Sequence, residues 1–428
     1  MSRFPQHSAY GQLMRTARPT HATTTPHPWG HAGERRQTGV RAESLRAMNL
    51  SLVLRRVLAD PGGGSRAAIA TSTGITRATS SRLVDELVQA GLVTELSPEP
   101  DAGRGRPAVR LTPRRGRFLA LGLEVNVGSL SARAIDLTGA VLAEEVVVAD
   151  FSGTRPEATM GALSALAHRV LEAAMRSRTT FLGSGLALPG LVSPDSLALA
   201  PNLGWRDIPL DELLTPIADL DPVLVANEAD LAAFAVAHPL PGVPSGPSSF
   251  VLVSGEVGIG AGIVIDHRML TGAHGWSGEI GHICVDPAGP VCSCGATGCL
   301  ESYLGRRAFI RRAGLPAESG PADVVRAARE GSTEARRALD EGGAALGRAL
   351  AAVINTVDIP LVVLGGNVAE VGEELLPAAR REMSVRVLQA AWSRPEVRLA
   401  ADSSRLAATG AAHRVLQRLV DDPLAWTA

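Results

Sequence analysis

The sequence predicts an α/β protein that carries a separate helical unit at its front, and three observations lead to that reading. From Phe118 onward, short apolar runs alternate with helical patterns, and polar groups recur at the carboxyl ends of the runs, where ligands bind in α/β folds. Between Ser44 and Leu111, three helical segments and two short strands follow the order of a winged helix-turn-helix. Between His282 and Cys299 stands a CxCxxxxC array, ten residues after the histidine, that reads as a metal knuckle.

At 428 residues the chain has material for two or three domains and a sizeable core. No apolar run reaches transmembrane length, and no charged and apolar leader stands at the front, so the expectation is a cytoplasmic protein without a membrane partner. Four clustered cysteines suit a metal in a reducing compartment better than bridges. The net charge of −1 conceals an asymmetry. Residues 1–116 hold 17 arginines against 8 acidic residues, and residues 117–428 hold 25 against 35. A basic front and an acidic rear point to a front domain that meets a polyanion. All 42 basic residues are arginine, which carries little functional information.

Residues 1–43 are rich in His, Pro, Thr, Gly and Arg without apolar periodicity, and are expected to form a disordered basic tail. Residues 44–115 are expected to form the winged helix-turn-helix. Leu50, Val53, Leu54, Val57 and Leu58 mark the apolar stripe of a first helix, which Pro61 and Gly62 to Gly64 stop. Ser65 can cap a short second helix, Thr73-Gly74-Ile75 turns, and Thr76 caps a third helix reaching about Ala90. The third helix would lie in a DNA major groove with Arg77, Thr79, Ser80 and Arg82 toward the bases, and Leu83, Val84, Leu87 and Val88 behind. Two strands, Leu92–Leu96 and Ala108–Leu111, would form a wing whose loop holds Gly103-Arg104-Gly105-Arg106-Pro107. Arg104 and Arg106 in that short extended segment suit a narrow A·T minor groove, although an ordinary polar hairpin tip would look the same.

Residues 117–420 are expected to form the α/β part. Phe118–Glu124, Ser131–Ile135 and Val141–Val148 read as a three-stranded meander, and a helix covers roughly residues 155–177. Further strands are expected at Phe181–Leu188, Val223–Val225, Phe250–Gly255, Gly260–Ile265 and Leu361–Leu364. In the stretch Gly278–Glu301, His282, Cys292, Cys294 and Cys299 have the spacing of four tetrahedral Zn²⁺ ligands in a closed structural site, against the alternative of reduced, buried thiols. Cys284, in an apolar run, reads as a core residue. Glu279 and Glu301 bracket the knuckle, so a metal holding this loop would also fix two carboxylates.

GEIGH at 278–282, CSCGATGCLE at 292–301, the Asn227-Glu228 pair after a strand, and LGG at 364–366 resemble the ROK family of repressors, open reading frames and sugar kinases. The preceding winged helix and its GRGRP segment resemble the transcriptional-regulator branch. The resemblance covers about residues 44–420. It implies an actin-like (ribonuclease H-like) two-lobed domain with a structural zinc knuckle, and a sugar site made of Asn227, Glu228, Glu279, His282 and Glu301, to which the PNLGW segment adds Asn202. His282 would bind zinc through one ring nitrogen and keep the other for a sugar hydroxyl.

The departures from the kinase pattern bear on activity. The family's kinases have an Asp as catalytic base where this chain has Glu228. Their first phosphate loop resembles DxGGT, whereas Glu124-Val125-Asn126-Val127-Gly128-Ser129 stands here. Their second, near GTGIG, is Gly255-Glu256-Val257-Gly258-Ile259-Gly260, which brings a carboxylate toward a triphosphate. The implied function is a sugar-responsive DNA-binding repressor of carbohydrate-utilisation genes without kinase activity, whose partners are double-stranded operator DNA, a sugar or sugar phosphate, and further copies of itself in a homodimer or homotetramer. An active or bifunctional ATP-dependent sugar kinase is the alternative, and a ligand-free dimerisation scaffold a third reading.

Overall fold

The computed structural model describes residues 42–96, 109–400 and 405–426. The expected tail falls outside the described residues except for its last two, and Arg104 and Arg106 fall outside them entirely.

The front of the chain forms α1 (Ala42–Ala59), α2 (Arg66–Thr73) and α3 (Arg77–Gln89), followed by the antiparallel pair β1 (Val93–Leu96) and β2 (Arg110–Pro113). Local chemistry sets the boundaries. Ser65 Oγ accepts from the Ala68 amide at 3.2 Å to start α2, and Gly74 closes it at φ 74°. Thr76 Oγ1 accepts from the Thr79 amide at 3.2 Å to start α3. The expected stripe of α1 is buried against Leu83, Val84 and Leu87 of α3 and Leu111 of β2. Ser80, expected at the DNA face, is instead fully buried: its hydroxyl donates to the Arg66 carbonyl at 2.9 Å and ties α3 to α2.

The remainder contains two five-stranded sheets of the same topology. The first is built from β3 (Phe118–Val125), β4 (Ser129–Asp136), β5 (Val141–Val148), β6 (Thr180–Leu188) and β10 (Val223–Asn227), with helix α4 (Pro156–Ala174) before β6. Between β6 and β10 lie a small antiparallel sheet of β7 (Leu191–Val192), β8 (Ser196–Ala200) and β9 (Trp205–Pro209), and a short helix α5 (Leu210–Leu214). Helix α6 (Glu228–Ala237) follows β10 directly. The second large sheet holds β11 (Phe250–Ser254), β12 (Gly260–Ile265), β13 (Arg268–Met269), β14 (Leu361–Leu364) and β15 (Glu396–Leu399). Helices α7 (Glu301–Leu304), α8 (Arg306–Arg312), α9 (Pro321–Arg329) and α10 (Thr333–Val357) precede β14. Helices α11 (Gly366–Glu370) and α12 (Gly372–Arg386) precede β15, and α13 (Leu406–Asp421) ends the fold.

In each sheet an antiparallel meander runs outward from a first strand, and two parallel strands are added on that strand's other side, giving the orders β5-β4-β3-β6-β10 and β13-β12-β11-β14-β15. This duplication is the actin-like two-lobed arrangement.

Helix α13 joins the parts. Its residues Ala407 and Ala411 share a core with Leu231, Ala232 and Ala233 of α6, while Val415, Leu416, Leu419 and Val420 share one with the α1 stripe. The crossing with α6 is close because Gly410 has no side chain: a Cβ there would lie 1.8 Å from the Leu231 carbonyl oxygen. The front helical unit is therefore packed on the two-sheet part through one continuous apolar core.

Candidate functional site

A cavity of about 570 Å³ opens between the two sheets, walled on one side by the β7–β9 sheet and floored by the loop Val257–Gly260. Asn202, Asn227, Glu228, Glu279, His282 and Glu301 all line it, brought together from four separate segments of the chain.

The backbone explains each position. Asn227 ends β10 and caps α6: its Oδ1 accepts from the Ala229 amide at 2.7 Å, and its Nδ2 donates to the Gly190 carbonyl at 2.8 Å. That amide is held in place by the fold, and Glu228 on the first turn is aimed into the cavity. Glu301 opens α7; its Oε2 accepts from the Ile259 amide at 3.1 Å and its Oε1 from Ser293 Oγ at 3.3 Å. The floor must be bare here, since a Cβ at Gly258 would stand 2.5 Å from Glu301 Oε2 and 3.0 Å from Asn202 Nδ2. Asn202 sits in the β8–β9 turn, which Gly204 (φ 75°) bends and Trp205 anchors by donating from Nε1 to the Thr154 carbonyl at 2.7 Å. In GEIGH, Gly278 and Gly281 press on β12 and its approach: a Cβ would meet the Ala261 oxygen at 1.8 Å or the Ile259 oxygen at 2.2 Å. Only glycines let this segment lie close enough to deliver Glu279 and His282 to the cavity wall.

His282 faces two ways. Its Nδ1 lies 4.0 Å from Cys292 Sγ, and its Nε2 lies 3.9 Å from Glu279 Oε2 on the cavity side. One ligand atom from each of His282, Cys292, Cys294 and Cys299 falls within 4.8 Å of the others, and the Cys294 and Cys299 sulfurs are 3.7 Å apart. Two thiolates about 2.3 Å from a shared tetrahedral ion would be separated by about 3.8 Å, so one imidazole and three thiols fit such an ion. Isolated antiparallel backbone β-bridges, Cys284 opposite Cys299 and Val291 opposite Thr297, brace the loop, and Gly298 turns at φ 73° where a Cβ would strike the Asp286 oxygen at 1.6 Å. Cys284 is exposed and not part of the core, whereas its neighbour Val285 is buried.

Where a kinase would hold phosphates, this chain gathers acids. Glu124, at the end of β3, is buried, and burial pushes its carboxyl up to about 7, with the negative Glu256 adding to the effect. Glu228 is raised well above the usual carboxylate range, first by desolvation and then by Glu124, Glu256 and Glu279. Asn126 Nδ2 donates to Glu228 Oε2 at 3.0 Å, so an amide in the first loop occupies the glutamate. Glu124, Glu228 and Glu256 converge on a space of only about 30 Å³, room for a water or two. On the other side of Glu256, a gap lined by Arg306 and Asn367 measures about 10 Å³.

Two lining residues escaped the sequence reading. Asn126 looked only like a damaged loop, and its bond to Glu228 depends on the β3–β4 turn closing, with the Asn126 amide donating to the Ser129 carbonyl at 2.9 Å. Arg206 on β9 is exposed at the rim and is the one arginine among the described lining residues; its place beside the PNLGW segment was the available signal. At the front, Arg77 is exposed at the start of α3, Arg82 is exposed with Glu86 3.6 Å away, and Thr79 is half-buried with its hydroxyl 2.9 Å from that of Thr76.

The family model for the ROK family matches residues 120–418. The xylose repressor of Bacillus subtilis (strain 168) is 28% identical over 345 residues, spanning 80% of this chain and 88% of that protein. The crystal structure of a ROK family transcriptional regulator, a homolog of the E. coli MLC protein, aligns with a TM-score of 0.72 and 26% identity over 90% of this chain and 98% of that one. A ROK family glucokinase from Streptomyces griseus, solved with glucose and AMPPNP, aligns with a TM-score of 0.57 and 26% identity over 69% of this chain and 98% of its own.

Proposed function

This chain belongs to the ROK family, and we propose from that premise that it is a sugar-responsive repressor of carbohydrate-utilisation genes, without kinase activity. The observation that carries the reading is the continuity between the cleft and the winged helix. Helix α6 begins at the cleft with Glu228 and ends beside the loop Leu240–Val243, where Arg55 of α1 donates to the Gly242 carbonyl at 2.5 Å and pairs with Asp421 of α13. His413 of α13 lies with Nδ1 2.9 Å from the His238 carbonyl at the end of α6. A sugar that prefers one disposition of the two sheets biases α6 and α13, and with them the angle of α1; its leverage equals its differential affinity for the two states.

In this reading Asn202, Asn227, Glu228, Glu279, His282 and Glu301 exchange hydrogen bonds with sugar hydroxyls, and buried polar partners reject analogues that lack those hydroxyls. The ion at His282, Cys292, Cys294 and Cys299 is zinc, which holds the His282 ring with Nε2 toward the sugar. Arg77, Thr79 and Arg82 face operator bases, Ser80 supports α3 from behind, and Arg104 and Arg106 reach the flanking groove. The protein acts as a homodimer or homotetramer in the cytoplasm. Selection of bound duplexes from a random pool by the full chain tests the DNA half. A two-fold symmetric consensus is expected, with half-sites about one helical turn apart or a multiple of it. Recovery of no enriched sequence overturns it.

A further inference from the structure

The charges around the cleft decide which kind of sugar it accepts. Three carboxylates, Glu228, Glu279 and Glu301, line the main cavity, against one arginine, Arg206, at the exposed rim. Where the cavity continues past Asn126, the wall is Glu124, Glu228 and Glu256, and its cation, Arg405, is paired with Glu144. The space there is about 30 Å³, and it is closed by the bond from Asn126 to Glu228.

A sugar oriented with a hydroxyl toward Glu228 meets acceptors that suit O–H donors. The same sugar bearing a phosphate ester at that hydroxyl would bring about two negative charges to a corner of three carboxyl groups with about 30 Å³ of space, whose arginine, Arg405, is already paired with Glu144. From this placement we infer that the effector is an uncharged, unphosphorylated sugar, and that Glu124, Glu228 and Glu256 act together as the element that rejects its phosphate ester. The inference rests on the sugar-sensing reading above. Burial and mutual repulsion already hold Glu124 and Glu228 above the usual carboxylate range, so a further negative charge in this corner would have to be met by protonation of these acids and not by a cation. The corner occupied by phosphates in a phosphotransfer enzyme thus serves here as a filter against the phosphorylated form of the signal.

The test is calorimetry on the full-length, zinc-loaded protein with D-glucose, D-xylose and N-acetyl-D-glucosamine, each paired with its terminal phosphate ester, and with inorganic phosphate as an anion control. At least one neutral sugar is expected to bind, with its ester at least about 100-fold weaker. An ester that binds as tightly as its parent, or ester binding that Arg206→Ala removes, overturns the inference while leaving the sugar-sensing reading intact. Binding by no sugar and no ester overturns the sugar-sensing reading itself.

Discussion

Replacing Glu124 with Gln isolates the cost of crowding acids at the end of β3. The side chain is buried, its neighbour Ser131 Oγ lies 3.3 Å from Oε2, and an amide oxygen can accept that same bond. The carboxyl is pushed from an ordinary 4.5 to about 7. Between those values the folded protein holds a proton that the unfolded chain has lost, so stability falls as the pH rises through this window. Below about pH 4.5 the penalty is absent, and above about pH 7 it is complete at roughly 3 kcal/mol. Glu124→Gln removes the titrating group from both states. The variant is therefore expected to melt with wild type near pH 4 and about 5 °C above it at pH 8. Thermal unfolding followed by circular dichroism at the two pH values measures the difference. An equal gain at both pH values, or a lower melting temperature at pH 8, would refute the assignment of Glu124 as a buried acid held against ionisation.

Chelation of the metal, or Cys299→Ser, is expected to abolish the sugar response before DNA binding, because the knuckle holds Glu279, His282 and Glu301 but lies away from the α1–α13 contact; simultaneous loss of both, read by calorimetry and anisotropy, would mean the knuckle supports the whole assembly. Arg55→Ala is expected to leave sugar affinity within about twofold while shrinking the effect of sugar on operator affinity by several-fold, since a partly exposed charge pair contributes little to folding but joins α1 to both Gly242 and Asp421. An undiminished response in that variant would remove this contact from the coupling. Arg77→Ala is expected to relax base preference at one position of the selected site at a cost of about 1–3 kcal/mol; an unchanged consensus at unchanged affinity would take Arg77 off the base edges.

Much of this was legible in the chain because local chemistry dictates it. The stripe Leu50, Val53, Leu54, Val57 and Leu58, the caps Ser65 and Thr76, and the strand Val141–Val148 follow from periodicity and hydrogen-bonding capacity, and each stands where expected. The metal group was legible because ligand chemistry fixes spacing. What the sequence hid depends on distant approach. Ser80 reads as an exposed helix residue until α2 is seen to supply the Arg66 carbonyl as its acceptor. Cys284 reads as core from its apolar neighbours, yet its side chain is exposed while that of Val285 beside it is buried. The β7–β9 sheet, which supplies Asn202 and Arg206 to the cleft, is made of strands too short to carry a period. The duplication of the two large sheets survives in strand order and not in recognisable residues.

The central claim is that sugar occupancy of the cleft changes the hold on DNA. Fluorescence anisotropy of a labelled duplex carrying the selected site, titrated with full-length protein at fixed salt, with and without saturating neutral sugar, tests it most directly. The account predicts that the sugar identified by calorimetry weakens operator affinity by about tenfold or more, and that operator weakens the sugar by the same factor. Operator affinity unchanged by a sugar that demonstrably fills the cleft would contradict it.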